Sequence, residues 1–283
     1  MRSIIMKKLS VLALICALFA LTGCGAAPEA KKEATAPKQA AKPAVVKVGV
    51  TAGPHAEIMD NVKKLAAKKG INIEVVEFND FVSPNIALNQ GDLYADSMQH
   101  APYLAANLKK EPKFDLVEVF KTVNFPMAIY SSTIKKGGAI PDGASIAIPN
   151  DPSNGGRALL ILANANMIEL KDKNNPTSSV ADITKNPHKY TFKELDAAAI
   201  PRNLKDVTCA IINVNYALPA GLSPEKDALL VENPKNNFVN IFVVKKANAN
   251  DQLVKDLKAI YQSKENADFI KEHFKGTIQP AWN

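Results

Sequence analysis

One run of the chain gathers groups that can grip an anion: Pro-Asn-Asp-Pro-Ser-Asn-Gly-Gly-Arg-Ala-Leu-Leu at 149–160. It follows a short apolar strand pattern and opens a helical one. Backbone N–H groups at a helix start receive negative charge. Asn154 stands at that start, and Gly155 and Gly156 let a ligand approach the backbone closely. Arg157 carries a planar fork that matches a carboxylate. A capped helix with a solvated arginine accounts for the same residues. No Gly-Lys-Ser/Thr follows, so the run is not a nucleotide-binding P-loop.

Asp-Ser-Met-Gln-His-Ala-Pro-Tyr-Leu at 96–104 is a second cluster. It is expected just past a strand end, where ligands of α/β sheets gather. Met98 and Tyr103 offer an apolar, polarizable wall suited to a thioether. His100 can donate to a carboxylate. A core methionine, a helix-start histidine and a packing tyrosine describe the cluster too. Asn213 and Asn215 follow another strand, and Asn240 lies inside one, where asparagine is unfavourable. Asparagine presents donor and acceptor together, which suits the ammonium and carboxylate of an amino acid. An ordinary turn explains Asn213 and Asn215 equally well.

Signs of catalysis are few. His55, His100, His188 and His273 have no metal-ligand spacing, and there is no Gly-x-Ser-x-Gly elbow. Cys209 falls in an apolar strand and reads as an inert buried thiol. No enzyme and no cofactor are expected.

The elements that must position these residues alternate. Strand patterns at 45–50, 71–78, 116–123, 145–148, 207–212 and 238–244 are interleaved with helical patterns at 54–69, 83–90, 103–110, 154–164, 251–262 and 264–274. That order predicts an α/β fold with mostly parallel sheets. Hinges near 125–128 and 234–239 would divide it into one lobe of 45–128 plus 236–283 and another of 129–235. Two crossings between lobes suit a clamshell that closes by hinge bending.

The start of the chain carries an address. Lys7 and Lys8 precede a short apolar run that ends in Leu21-Thr22-Gly23-Cys24. That run is about half the ~20 residues of a membrane-spanning helix. The four residues fit the bacterial lipobox, so 1–23 is expected to be removed and Cys24 acylated, with palmitate among its lipids. An uncleaved anchor with a chance cysteine is the alternative. Residues 24–44, rich in Ala, Lys, Pro and Glu, read as a flexible tether. The protein should face the extracytoplasmic side of the membrane. The formal charge of +7 falls to about +2 once the net +3 of the signal and the net +2 of the tether are set aside, too little to argue for nucleic acid. With Cys16 removed and Cys24 acylated, Cys209 has no partner for a disulfide.

Several motifs taken together resemble one family. These are Leu-Thr-Gly-Cys, Val-Lys-Val-Gly-Val, Met-Gln-His-Ala-Pro-Tyr-Leu, Phe-Pro-Met-Ala-Ile-Tyr-Ser, Ile-Pro-Asn-Asp-Pro-Ser-Asn-Gly-Gly-Arg-Ala-Leu and Tyr-Ala-Leu-Pro-Ala-Gly-Leu. Each is weak alone; in this order, from about Val45 to the C-terminus, they are specific. The chain is similar to the methionine-binding lipoproteins, the NlpA-type substrate-binding components of ABC importers. The resemblance implies a two-lobed periplasmic-binding-protein (type 2) fold that closes on a free amino acid and serves a membrane permease and its ATPase. It implies Arg157 as the carboxylate clamp, with Asn213 or Asn215, and Asn240, as polar partners of the ligand backbone. Phe81, Met98, His100 and Tyr103 fall where the family builds the side-chain pocket and its rim. Many relatives carry Phe where this chain has Met98. L-methionine is the expected ligand. D-methionine, a Met-containing dipeptide or another small amino acid are alternatives within the fold, and a metal held by His55 and His100 is a remote one.

Overall fold

Every helix and strand expected from hydrophobic period forms, with ends displaced by three residues at most. The computed structural model describes residues 45–234 and 236–282. The expected signal segment, tether and lipidated Cys24 lie outside the described residues.

The chain runs from β1 (Val46–Thr51) to α1 (Pro54–Ala67), β2 (Ile73–Phe78), α2 (Ser83–Gln90), β3 (Ala95–His100), α3 (Ala101–Lys110) and β4 (Leu116–Asn124). It then passes through Phe125 and Pro126 into β5 (Met127–Tyr130), β6 (Ser145–Pro149), α4 (Pro152–Asn164), β7 (Glu169–Leu170), β8 (Ile183–Lys185) and β9 (Thr191–Leu195). A 3-10 helix, Ala197–Asp206, leads to β10 (Cys209–Asn213), α5 (Val214–Ala217), α6 (Pro224–Asp227) and β11 (Leu230–Val231). The return brings β12 (Val239–Lys245), α7 (Gln252–Tyr261), α8 (Lys264–His273) and β13 (Gln279–Pro280).

Two main sheets result, and the chain crosses between them at 125–126 and again at 232–238. Six strands line up as β13-β4-β12-β3-β1-β2, and five as β11-β5-β10-β6-β9. The expectation of mostly parallel sheets is corrected: both are mixed. β1 is parallel to β2 and β3, and β6 to β9 and β10. β12 is antiparallel to β3 and β4, and β5 to β10 and β11. The parallel pairs are those joined by crossovers. β5 and β12 are the first strands after each passage between sheets, and they enter against the direction of their neighbours. Apolar clusters cover both faces of each sheet. Val48, Ile58, Met59, Val62 and Phe242 share one side of the first, and Leu88, Leu104, Ile241 and Val243 the other. Cys209, buried on β10, belongs to a cluster of the second sheet.

Two local expectations are revised. The stretch 96–104 does not follow a strand; its first half is β3, buried at all six positions. Burial on both faces removes the alternation that marks a strand, and Asp96, Ser97 and Gln99 are not residues that strands favour. Gly155 and Gly156 lie within α4, not in a turn, and their space is taken by the protein's own backbone. A Cβ on Gly155 would stand 2.8 Å from the carbonyl oxygen of Pro149, and one on Gly156 2.4 Å from that of Pro176. Gly156→Ala should therefore cost about 1–3 kcal/mol of stability, the usual penalty for overpacking. Urea denaturation measures it; an unchanged midpoint would mean that the 176–178 segment yields freely.

Candidate functional site

Four turns converge because each follows the C-terminal end of a strand. β1 leads to α1, β3 to α3, β6 to α4 and β10 to α5. These ends meet where the two sheets face one another, and they enclose a small cavity of about 20 Å3. That is room for about one water, far below the roughly 300–1,000 Å3 of ligand pockets, so an amino acid fits only as the walls part. All nine residues expected to bind a ligand line it: Phe81, Met98, His100, Tyr103, Asn154, Arg157, Asn213, Asn215 and Asn240. His55, Gln99 and Phe125 line it too.

Arg157, one turn into α4, is 2% exposed. Its Nε donates to Glu232 Oε1 at 2.9 Å, and its Nη2 donates to Glu232 Oε2 and, at 2.8 Å, to the carbonyl oxygen of Phe125. The guanidinium lies over the ring of Phe238, 4.7 Å from its centroid. Nη1 takes no part in these bonds. Met127 N also donates to Glu232 Oε2, at 3.1 Å. The pair is buried and complementary in charge, so the floor of the cavity carries a cation without a net charge.

Beside it stands a chain of polar groups. Asp151 caps α4, accepting from Asn154 N at 2.9 Å, and both its carboxylate oxygens accept from Asn154 Nδ2. The helix start is thereby occupied by the protein's own carboxylate and not left open for an anion, as the sequence suggested. Asn154 Oδ1 then accepts from Asn213 Nδ2 at 2.9 Å and from His100 Nε2 at 3.2 Å. His100 Nδ1 accepts from Tyr103 N at 3.1 Å, which fixes the ring proton on Nε2. Burial, with the nearby charge of Arg157, pushes His100 down to about 3, so the ring is neutral. Asn213 Oδ1 is buried with no partner among the described residues, an acceptor aimed at whatever fills the cavity. Asn240, at the start of β12, is in register with His100 across the sheet.

Apolar groups close the other sides. Met98 is 2% exposed, and Tyr103 donates its hydroxyl to the carbonyl oxygen of Phe81 at 2.9 Å. The Phe81 ring lies 5.9 Å from that of Tyr103 and 4.9 Å from that of Tyr216 on α5. Cationic donor, neutral acceptors and a greasy wall together can take up a small zwitterion with an apolar side chain. Among the described residues, no three His, Cys, Asp or Glu side chains come together as a metal site would require.

The family model described as "NlpA lipoprotein" matches residues 46–282. The chain belongs to the NlpA lipoprotein family. The D-methionine-binding lipoprotein MetQ of Escherichia coli is 37% identical over 266 residues, which covers 93% of each protein. A solved nutrient binding protein from Burkholderia cenocepacia, bound to methionine, is 43% identical with a TM-score of 0.81; the match covers 84% of this chain and 100% of that one. An ABC transporter periplasmic substrate-binding protein from Coxiella burnetii is 39% identical with a TM-score of 0.79, covering 83% and 100%. The expected fold is confirmed: this NlpA-family chain has the two-lobed periplasmic-binding-protein architecture.

Five residues in or behind the cavity escaped the sequence reading as parts of a site, and His55 entered it only as a remote metal ligand. Glu232 and Phe238 flank the second passage between the sheets, and Phe125 the first; nothing in their spacing ties them to Arg157. A search for a buried counter-charge to Arg157 would have singled out Glu232, an acid beside the apolar Leu229-Leu230-Val231 run. Thr51 and His55 bracket the turn at Gly53, whose φ of 82° lets β1 feed α1 directly. Gln99 belongs to a buried amide relay: its Nε2 donates to Asn85 Oδ1 at 2.7 Å and to Asp96 Oδ1 at 2.8 Å.

Two outcomes follow. Glu232→Gln leaves a buried guanidinium without its counter-charge, and should cost about 3–5 kcal/mol in chemical denaturation; a loss near zero would mean that water already screens the pair. Asp96 is pushed up from its ordinary 3.8 to about 7 by burial, against the opposing hydrogen bond from Gln99. Between those values the folded state holds a proton that the unfolded chain has released, so this group's contribution to stability falls as pH rises from about 4 to 7. Asp96→Asn should raise Tm at pH 8 and leave it nearly unchanged at pH 4. An equal shift at both pH values would assign the effect to packing instead.

Proposed function

We propose that the protein is the substrate-binding component of an ABC importer for a free amino acid, with L-methionine as its cargo. It would be held outside the cytoplasmic membrane by lipid on Cys24 and hand its cargo to a permease driven by an ATPase. The observation that carries this reading is the convergence of Arg157, Asn213, Asn215 and Asn240 with Met98, Phe81 and Tyr103 around one small cavity. The lobes are taken as 45–128 with 236–283, and 129–235, hinged where the chain passes between the sheets. Family membership and relatives that bear methionine-binding names support the choice of ligand. No enzymatic role is proposed, since the machinery described grips charge and apolar surface without an activated nucleophile.

The energetics are compatible. L-methionine has about nine non-hydrogen atoms, and the ceiling for very small ligands is roughly −1.5 kcal/mol per atom, giving ~−13 kcal/mol. A nanomolar Kd needs about −12.3 kcal/mol. Tight binding then requires nearly every atom to be used, which a narrow cavity permits and an open groove does not. The Arg157–Glu232 pair suits a zwitterion, because a ligand with no net charge enters a floor with none.

The E. coli relative is named for D-methionine, so both enantiomers belong in the test. Calorimetric titration with L-methionine should give saturable heat at micromolar Kd or below, with D-methionine and Met-containing dipeptides weaker. Arg157→Met should lower affinity for L-methionine by more than about 100-fold. The absence of heat with every amino acid tried would defeat the proposal.

A further inference from the structure

His55 lines the cavity with a ring nitrogen left unused. It is the second residue of α1 and 5% exposed, and its ring lies 4.3 Å from that of Phe125. Its Nδ1 is 2.6 Å from Thr51 Oγ1, and Asn215 Nδ2 donates to the same oxygen at 3.4 Å. Nε2 is buried without a partner among the described residues.

These contacts determine where the ring proton sits. Thr51 is fully buried, and its hydroxyl has one proton to place. Asn215 Nδ2 can only donate, so it offers that proton no acceptor. If Nδ1 were protonated, it too would donate to Thr51, and the hydroxyl proton would be stranded. The arrangement that satisfies all three groups has Thr51 donating to Nδ1, which leaves the ring proton on Nε2. Burial excludes the doubly protonated ring, holding His55 down at about 3. The free Nε2–H is thus a neutral donor with a fixed direction.

We propose that His55 is a specificity-determining residue whose Nε2–H donates to one oxygen of the ligand's carboxylate, beside the Arg157 guanidinium. This rests on the amino-acid reading above. Two arguments select the carboxylate. Phe125 touches both groups, through its ring to His55 and through its carbonyl oxygen to Arg157. In zwitterionic methionine the ammonium accepts nothing and the thioether accepts weakly, so the carboxylate oxygens are the strong acceptors. Asn213 Oδ1, the unpartnered acceptor, is left for the ammonium. Thr51 and Asn215 are positioning residues: they hold the tautomer and need not touch the ligand.

The test pairs two ligands with two variants. His55→Phe keeps a ring against Phe125 and removes the donor. It should weaken L-methionine binding roughly 10- to 100-fold, and weaken L-methioninol, which has a hydroxymethyl group in place of the carboxylate, by less than about threefold. His55→Gln presents an amide N–H near the position of Nε2 and should restore most of the affinity. In 15N-histidine-labelled wild type without ligand, NMR should find His55 protonated at Nε2 alone and not titrating from about pH 5 to 8. Equal losses for both ligands, unchanged methionine binding in His55→Phe, or a proton on Nδ1 would overturn the proposal alone. Wild type that binds no amino acid would overturn the amino-acid reading and this inference with it, whatever the tautomer.

Discussion

The cavity depends on a guanidinium that is satisfied on two edges before any ligand arrives. Arg157 is pinned by Glu232, by the Phe125 carbonyl oxygen and by the ring of Phe238. A buried arginine without these partners would carry a large desolvation penalty, or would swing toward water. With them it is held in one rotamer and contributes no net charge. All three partners lie along the two passages between the sheets. The residues that fix the arginine are therefore those that must move if the lobes hinge, and its geometry is tied to the domain arrangement itself.

The second constraint is topological. Parallel strands joined by crossovers place their C-terminal ends at one edge of a sheet. Each sheet supplies two such ends, and the turns that leave them carry His55, His100, Asn154, Arg157, Asn213 and Asn215. β12 adds Asn240 by running antiparallel alongside β3. Asparagine inside a strand is poor for propensity, but here it lines the cavity from the start of the strand. Polar residues that look misplaced for folding thus line the cavity, at the expense of local preference.

Period and punctuation made the fold readable. Val46, Val48 and Val50 alternate, α2 runs from Ser83 to Gln90 as its Pro84 and Gly91 predict, and Arg157 stands out against the apolar α4. What stayed hidden is what only three dimensions join. β3 is buried on both faces, so it loses the two-residue rhythm. Glu232 is 75 positions from Arg157, and no local pattern links them. Gly155 and Gly156 advertised an open backbone, whereas the carbonyls of Pro149 and Pro176 already fill that space. The composition of the site could be read from motifs; its pairings and tautomers could not, because they are set by which donors are left over once the fold has used the rest.

Cys209 has a quieter consequence. It is the one cysteine among the described residues, sealed in the core of the second sheet, and burial pushes its thiol up to about 12. In an oxidising compartment, chains with several cysteines must sort correct from incorrect cross-links, a process of seconds to hours. A body with one inert sulfur has no pairing to get wrong. Its passage to the native state would then be independent of the oxidant outside and of any disulfide isomerase.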